Sequence, residues 1–138
     1  MAGLVPGCTR VRPLSRSVLE TLVMHLGCLR REVMLELPFD AEGRLIGQVA
    51  CTTGCEAAIR AGCRSVLKRV LEQRAVGLVL VHNHPSGDPQ PSRADVIATR
   101  RLAAMCAASR IELHDHLVVG GRSAVSMRRA GLLSRGVT

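Results

Sequence analysis

Residues 76–81 constrain the fold of this chain more than any other stretch. The run carries no polar side chain, and a short segment that is apolar throughout is typical of a strand buried on both faces. Such a strand lies between other strands and has further structure over both faces of its sheet. The run therefore predicts a central strand in a sheet that is packed with helices.

The flanking patterns predict three helices and four more strands. The predicted helices cover residues 15–26, 63–74 and 92–109, and the predicted strands cover residues 32–37, 44–51, 111–119 and 123–127. Because the turn at residues 40–43 is too short for a crossover, the first two strands should form an antiparallel hairpin. This order of elements predicts an α+β (mixed α/β) fold with a mixed central β-sheet and about three helices.

Three local details stay open at this level. Ser17 and Glu20 resemble a capping box, which would move the start of the first helix two residues later. Residues 52–62 are ambiguous, because Gly62 interrupts a helical pattern there. Residues 128–133 are consistent with a terminal turn of helix.

The length of 138 residues indicates one domain with a core of its own. Glycine and proline break any regular period near the start, so we expect a flexible arm over residues 1–13 and the domain over residues 14–138. No stretch has the length of a membrane span or the apolar core of a signal peptide. We therefore expect a cytoplasmic protein with no membrane partner; its oligomeric state is left open.

The six cysteines also suit a reducing compartment. Cys28, Cys51, Cys63 and Cys106 lie in apolar patterns, where cysteine behaves as a small hydrophobic residue. Cys51 and Cys55 have a spacing that could bind a metal, but the chain has no second pair at zinc-finger spacing. An ordinary structural role is the better interpretation of that pair.

The net charge of +8 favours contact with anions without identifying one. Nearly all of the positive charge is arginine, scattered in short pairs, and arginine-rich usage can equally reflect genome base composition. Phe39 is the only residue of the Phe, Tyr or Trp type, so stacking on unpaired bases is not expected. We expect at most weak electrostatic binding of nucleic acid.

A candidate metal site follows the central strand. Side chains two residues apart on an extended segment project to the same side, so His82 and His84 have the spacing of two ligands to one ion. Asp95 adds an oxygen ligand if the proline-rich loop folds back, which leaves a position for water, as in catalytic zinc sites. Ser92-x-x-Asp95 also predicts a helix N-terminal cap. Both interpretations can hold, because a capping aspartate keeps a free oxygen.

The stretch that begins at His82 resembles the JAMM motif of the JAB1/MPN/Mov34 metalloprotease superfamily, His-x-His-Pro followed by Ser-x-x-Asp. The wording His82-Asn83-His84-Pro85-Ser86-Gly87-Asp88-Pro89 is similar to its bacterial RadC branch. The similarity extends over about residues 14–133, through 40–47 upstream and 115–120 downstream. That branch normally carries a helix-hairpin-helix module ahead of this domain, so we expect either a stand-alone form or a fragment.

The resemblance implies a zinc-dependent hydrolase of peptide or isopeptide bonds that acts on a peptide or protein substrate. His82, His84 and Asp95 match the Zn²⁺ ligands of the family. Ser92 matches the serine that stabilises the developing oxyanion. The family label of DNA repair implies an alternative function, a DNA-associated accessory protein whose metal site is idle or structural.

The same resemblance implies a glutamate on an early strand as the general base. Glu32 matches it, because Glu32 precedes an apolar run and then Asp40. Glu36 is the competitor, since four residues along a strand return to the same face. A second His-x-His, around Asp115, lacks an obvious third ligand. We expect Asp115 or His116 to be a buried hydrogen-bonding residue near the metal site.

Overall fold

The computed structural model describes residues 14–53 and 57–133 of the chain. Its helices and strands, in chain order, are α1 (Arg16–Leu26), β1 (Val33–Phe39), β2 (Ala50–Thr53), α2 (Ala57–Glu72), β3 (Gly77–Asn83), α3 (Arg93–Ala108), β4 (Glu112–Gly120) and β5 (Ser123–Ser126). None of these helices is long and apolar enough to cross a membrane. The predicted flexible arm, residues 1–13, lies outside the described residues.

The five strands form one mixed sheet in the order β2-β1-β3-β4-β5. β3 and β4 run parallel, and the other neighbouring strands run antiparallel. All seven residues of β3 are buried. The prediction of a central strand in a mixed sheet is therefore confirmed, and so is the antiparallel pairing of the first two strands.

Helices cover both faces of the sheet, as the buried central strand requires. On one face α2 and α3 form a core with β3 and β4, which includes Val70, Leu80, Leu102 and Leu113. On the other face α1 covers a second cluster that includes Val81 and Val119. The metal-site candidates lie on the first face, at the end of the sheet where β3 finishes.

The second strand starts later than the pattern predicts. Residues 44–49 form only an isolated bridge with β1, between Leu45 and Phe39, with a backbone hydrogen bond from Ile46 to Pro38 beside it. The backbone amide of Gln48 donates instead to the side chain of Gln73, just beyond α2, at 2.8 Å. Regular pairing with β1 begins only at residue 50.

The predicted start of the first helix near Ser15 agrees with the structure, whereas one alternative and two other helix predictions do not. Ser15 is the N-cap of α1 and accepts from the amide of Val18, so the Ser17 capping box is wrong. Helix α2 begins at residue 57 and runs through Gly62, well before the predicted residue 63. Residues 128–133 form hydrogen-bonded turns rather than a helix, since successive amides bond back over three to five residues.

Candidate metal centre

Three electron-pair donors from two elements converge at the end of β3. His82 is in the strand, His84 follows it, and Asp95 lies in the first turn of α3. The Nε2 atoms of the two histidines are 3.0 Å apart. The Oδ2 atom of Asp95 lies 3.1 Å from Nε2 of His84 and 3.5 Å from Nε2 of His82. The proline-rich loop folds back, which was the condition for Asp95 to join the two histidines.

Asp95 is held rigidly by the capping box that begins α3. The Asp95 amide donates to Oγ of Ser92 at 3.0 Å, and the Ser92 amide donates to Oδ2 of Asp95 at 2.8 Å. Burial by itself would raise the pKa of Asp95. The neighbouring His82 side chain and the hydrogen bond from the Ser92 amide outweigh it and hold that pKa below its usual range. The carboxyl group is therefore ionised while still facing the two imidazoles.

A buried hydrogen-bond chain sets the tautomer of His82. Thr99 Oγ1 donates to the carbonyl of Asp95 at 2.6 Å, so it accepts from Nδ1–H of His116 at 2.7 Å. Nε2 of His116 then accepts from Nδ1–H of His82 at 2.6 Å. Burial lowers the pKa of His116 to about 3, which keeps its ring neutral. Nε2 of His82 is left with a lone pair, as a metal ligand needs.

The second imidazole is oriented in the same way. Nδ1 of His84 lies 2.9 Å from the carbonyl oxygen of Asp88, an acceptor, so the proton is on Nδ1. The loop that supplies this carbonyl packs directly on Gly120, where an added Cβ would lie 2.6 Å from the carbonyl carbon of Asp88. Only a glycine at that position leaves space for the loop. Nε2 of His84 therefore also presents a lone pair to Asp95.

This donor set fits a divalent metal ion. Two imidazole nitrogens and a carboxylate oxygen repel one another at 3.0–3.5 Å unless a cation or a shared proton lies among them. A tetrahedral ion with such ligands at about 2.0–2.1 Å separates neighbouring ligand atoms by about 3.3 Å. Three protein ligands leave a further position for water or substrate, which is the pattern of catalytic rather than structural zinc sites.

Glu32 lies beside the two histidines. Its Oε1 atom is 3.8 Å from Nε2 of His82, and its side chain is 20% exposed. Ligand atoms of Glu32, His82 and His84 all lie within 4.8 Å of one another, so Glu32 is geometrically an alternative third ligand. We favour Asp95 as the ligand, because its oxygen is closer to both histidines and its carboxylate is anchored by the helix. Glu32 is then free to exchange protons with water.

Glu36, the other candidate glutamate, is ion-paired with an arginine. Glu36 points to the same face of β1, as parity requires, but its buried carboxylate forms a bidentate ion pair with Arg69 of α2. The shortest contact of that pair is 2.8 Å. The pairing leaves Glu36 holding α2 against the sheet, whereas Glu32 lies beside the two histidines.

The second His-x-His does not form a metal site with its neighbours. His116 contacts His82, as the sequence predicted for one member of that motif. Asp115 instead accepts from the hydroxyl of Ser126 and from the amide of Arg128, which ties β4 to the turn after β5. His114 is mostly buried, and its Nε2 has no hydrogen-bond partner among the described residues. Cys51 is exposed at the sheet edge, and Cys55 lies outside the described residues.

Asn83 has a role that the sequence analysis missed. Its Oδ1 accepts from the amide of Val33 at 2.6 Å, and its Nδ2 donates to the carbonyl of Arg31 at 2.9 Å. Nδ2 also lies 3.5 Å from the carbonyl of Leu29. These contacts hold the backbone on both sides of Glu32. A lone amide in a buried strand was the available signal, since buried polar groups almost always have partners.

Thr99 was also missed. It follows Asp95 by four residues, one turn along α3, which places both on the same side of the helix. Its hydroxyl has no exposed surface and contacts His116. The spacing was visible in the sequence, but the partner was not, because His116 reaches Thr99 only through the parallel pairing of β3 and β4.

Comparison with known proteins agrees with this geometry. The family model described as the RadC-like JAB domain matches residues 14–132. The UPF0758 protein YkfG of Escherichia coli (strain K12) is 38% identical over 119 residues, which cover 86% of this chain and 75% of that protein. The UPF0758 protein YeeS of the same organism is 36% identical over 119 residues, covering 86% of this chain and 80% of that protein.

A longer relative matches over part of its length. A UPF0758 protein of Leptothrix cholodnii is 41% identical over 118 residues, which cover 86% of this chain but 53% of that protein. The chain thus spans about half of some curated relatives and three quarters or more of others. Because the family model and the relatives cover most of its length, this chain belongs to the RadC-like JAB domain family.

Proposed function

We propose that this chain is a zinc-dependent hydrolase of peptide or isopeptide bonds. The observation that supports it most is the convergence of two imidazoles and one carboxylate, with the carboxylate of Glu32 next to them. The mixed nitrogen and oxygen donor set, with an open position, suits zinc better than magnesium or calcium, which prefer oxygen ligands. His82, His84 and Asp95 would hold the ion.

The chemistry divides between the ion and two side chains. When bound, zinc lowers the pKa of water to about 7 and polarises a carbonyl group. Glu32 accepts the proton of the attacking water and returns it to the leaving amine as the carbon–nitrogen bond breaks. Ser92 Oγ already accepts from the Asp95 amide, so its own proton is available to the substrate carbonyl oxygen as negative charge develops.

Substitutions separate the ligand from the base. Glu32→Gln should keep a stoichiometric ion, measured by elemental analysis, and should lose hydrolysis of a fluorogenic peptide panel. Asp95→Asn keeps the size and the capping geometry of the side chain but removes its charge, so it should lose the ion. The reverse pattern, with the ion lost from Glu32→Gln and kept by Asp95→Asn, would show that Glu32 is the third ligand.

The function itself is tested with the unmodified chain. Zinc-loaded protein should cleave members of a peptide and isopeptide panel, and both chelation and His82→Ala should abolish cleavage. Gln90→Ala, an exposed change in the same loop, should have little effect.

The alternative is a DNA-associated accessory protein, which the net charge of +8 supports. Tight, strongly salt-dependent DNA binding by metal-free protein that hydrolyses no substrate would favour this alternative.

A further inference from the structure

A cavity of about 610 Å³ lies between α2 and α3 and reaches Ser92 at one end. Cys63 and Ala98 form its buried floor. Arg93, Ile97 and Arg101 line it from the exposed side of α3. Because Ser92 also holds Asp95 through the capping box, the cavity begins at the candidate metal centre and extends away from it along the helix.

The rim of the cavity combines positive charge with an exposed apolar residue. Arg93, Ile97 and Arg101 are spaced by four residues, so they share one side of α3. Ile97 is 55% exposed, although it is a large hydrophobic residue. Neither arginine forms a hydrogen bond or an ion pair with a residue that the structure describes. Two uncompensated guanidinium groups around an exposed isoleucine suit a ligand that is both acidic and apolar.

The dimensions match a short extended peptide. At 1.5 Å per helical residue, Ile97 lies about 7.5 Å along α3 from Ser92, and Arg101 lies about 13.5 Å from it. An extended chain advances about 3.3 Å per residue. A substrate whose scissile carbonyl is at Ser92 would therefore place a side chain at Ile97 after about two residues and one at Arg101 after about four.

We propose that this cavity binds the substrate chain beside the scissile bond and selects an acidic peptide segment. An apolar side chain contacts Ile97, and an Asp or Glu carboxylate about four residues from the cleaved bond pairs with Arg101. Nucleic acid fits less well, because the described lining has no aromatic side chain for base stacking and places an isoleucine between the two charges. This inference rests on the proposed hydrolase, whose substrate class it specifies.

The test measures binding separately from cleavage. The probes are fluorescein-labelled peptides with Leu at the second residue from the central bond. The fourth residue from that bond is either Glu or Lys. Both residues lie on the same side of the bond, and one set of peptides is made for each side. Their affinity for zinc-loaded Glu32→Gln protein is measured by fluorescence anisotropy at low salt. On one of the two sides, Glu should bind about tenfold more tightly than Lys, since one charge pair is replaced by one repulsion.

Charge reversal then identifies the arginine. Arg101→Glu in the same protein should invert the preference, so that the Lys peptide binds better, which a folding defect cannot produce. Arg44→Glu is the control, because it makes the same change in net charge far from the candidate metal centre. Arg44 follows the end of β1 at Phe39, whereas Glu32 precedes its start, so this change should leave the preference unaltered. Equal affinity for the Glu and Lys peptides, or a preference that Arg101→Glu does not alter, would overturn the inference.

The outcomes separate this inference from the proposed function. Peptide binding that depends on Arg101, without cleavage of any peptide by the unsubstituted chain, would refute the hydrolase and retain the acidic-peptide site. Cleavage of the Glu and Lys peptides with equal kcat/KM would support the hydrolase and refute the acidic-peptide site. A third outcome is that a single-stranded oligonucleotide displaces the Glu peptide at a lower concentration than unlabelled peptide does, and that this displacement depends on Arg101. That result would identify nucleic acid, rather than a peptide, as the ligand of the cavity.

Discussion

Replacing Asn83 tests whether its carboxamide positions Glu32. Asn83 is 1% exposed and bonds to the backbone on both sides of that glutamate. Asn83→Ala leaves the amide of Val33 and the carbonyl of Arg31 without their partner. Asn83→Asp keeps an acceptor for Val33 but turns a carboxylate toward the Arg31 carbonyl. Both changes should loosen the segment that carries Glu32.

The expected loss of stability follows from the two shorter contacts. A buried donor or acceptor left unsatisfied costs about 1–3 kcal/mol. The two groups together predict that Asn83→Ala lowers the free energy of unfolding by about 2–6 kcal/mol, and the 3.5 Å contact to Leu29 adds little. Domains of this size are usually stable by about 5–15 kcal/mol, so the change is readily measurable.

The assay is urea unfolding in the presence of a chelator, because a bound ion would add its own stabilisation. Gln90→Ala is the control, at an exposed position in the loop that follows β3, and it should stay within about 0.5 kcal/mol of the unsubstituted chain. If Asn83→Ala also stays within that limit, the carboxamide does not hold the Glu32 segment. In an active preparation, kcat should fall by about 100-fold, as expected when a reacting group is displaced by about 1 Å.

Three further predictions concern other buried groups. His116→Ala should weaken metal binding by about 10–100-fold in competition with a chelating dye, because it releases Nδ1 of His82; unchanged affinity would contradict the relay. Arg69→Ala should destabilise the fold by about 3 kcal/mol in urea, because it leaves Glu36 buried without its partner, and Glu36→Leu in the same chain should recover most of the loss. Burial lowers the pKa of His114 despite attraction by Glu112, so the unfolded chain binds the extra proton first. Stability should therefore fall as the pH drops below about 6.5, by at most about 1.4 kcal/mol per pH unit for this group, and His114→Leu should remove that slope.

Local patterns were sufficient for much of the fold. The apolar run before His82 correctly predicted a central strand, and the capping residues correctly predicted the start of α3. Boundaries were wrong where distant residues decide them. The segment before β2 bonds to Gln73 after α2, and α2 runs through Gly62 despite the cost of a glycine within a helix.

The candidate site shows the same division. The spacing indicated that His82 and His84 project to one side and that Asp95 could join them if the loop folded back. The resemblance to the JAMM motif then implied that all three are ligands. The choice between Glu32 and Glu36 could not be made from the sequence, since both have the same parity.

Only the tertiary structure gives the two glutamates different surroundings. Pairing of Met34 with His82 sets Glu32 beside the end of β3, while α2 brings Arg69 to Glu36. Two further contacts also join residues that are distant in the sequence. Asn83 bonds to Val33, 50 positions away, and His116 bonds to His82, 34 positions away. Sequence periodicity determines which face a side chain occupies, but the register between strands determines which partner it meets.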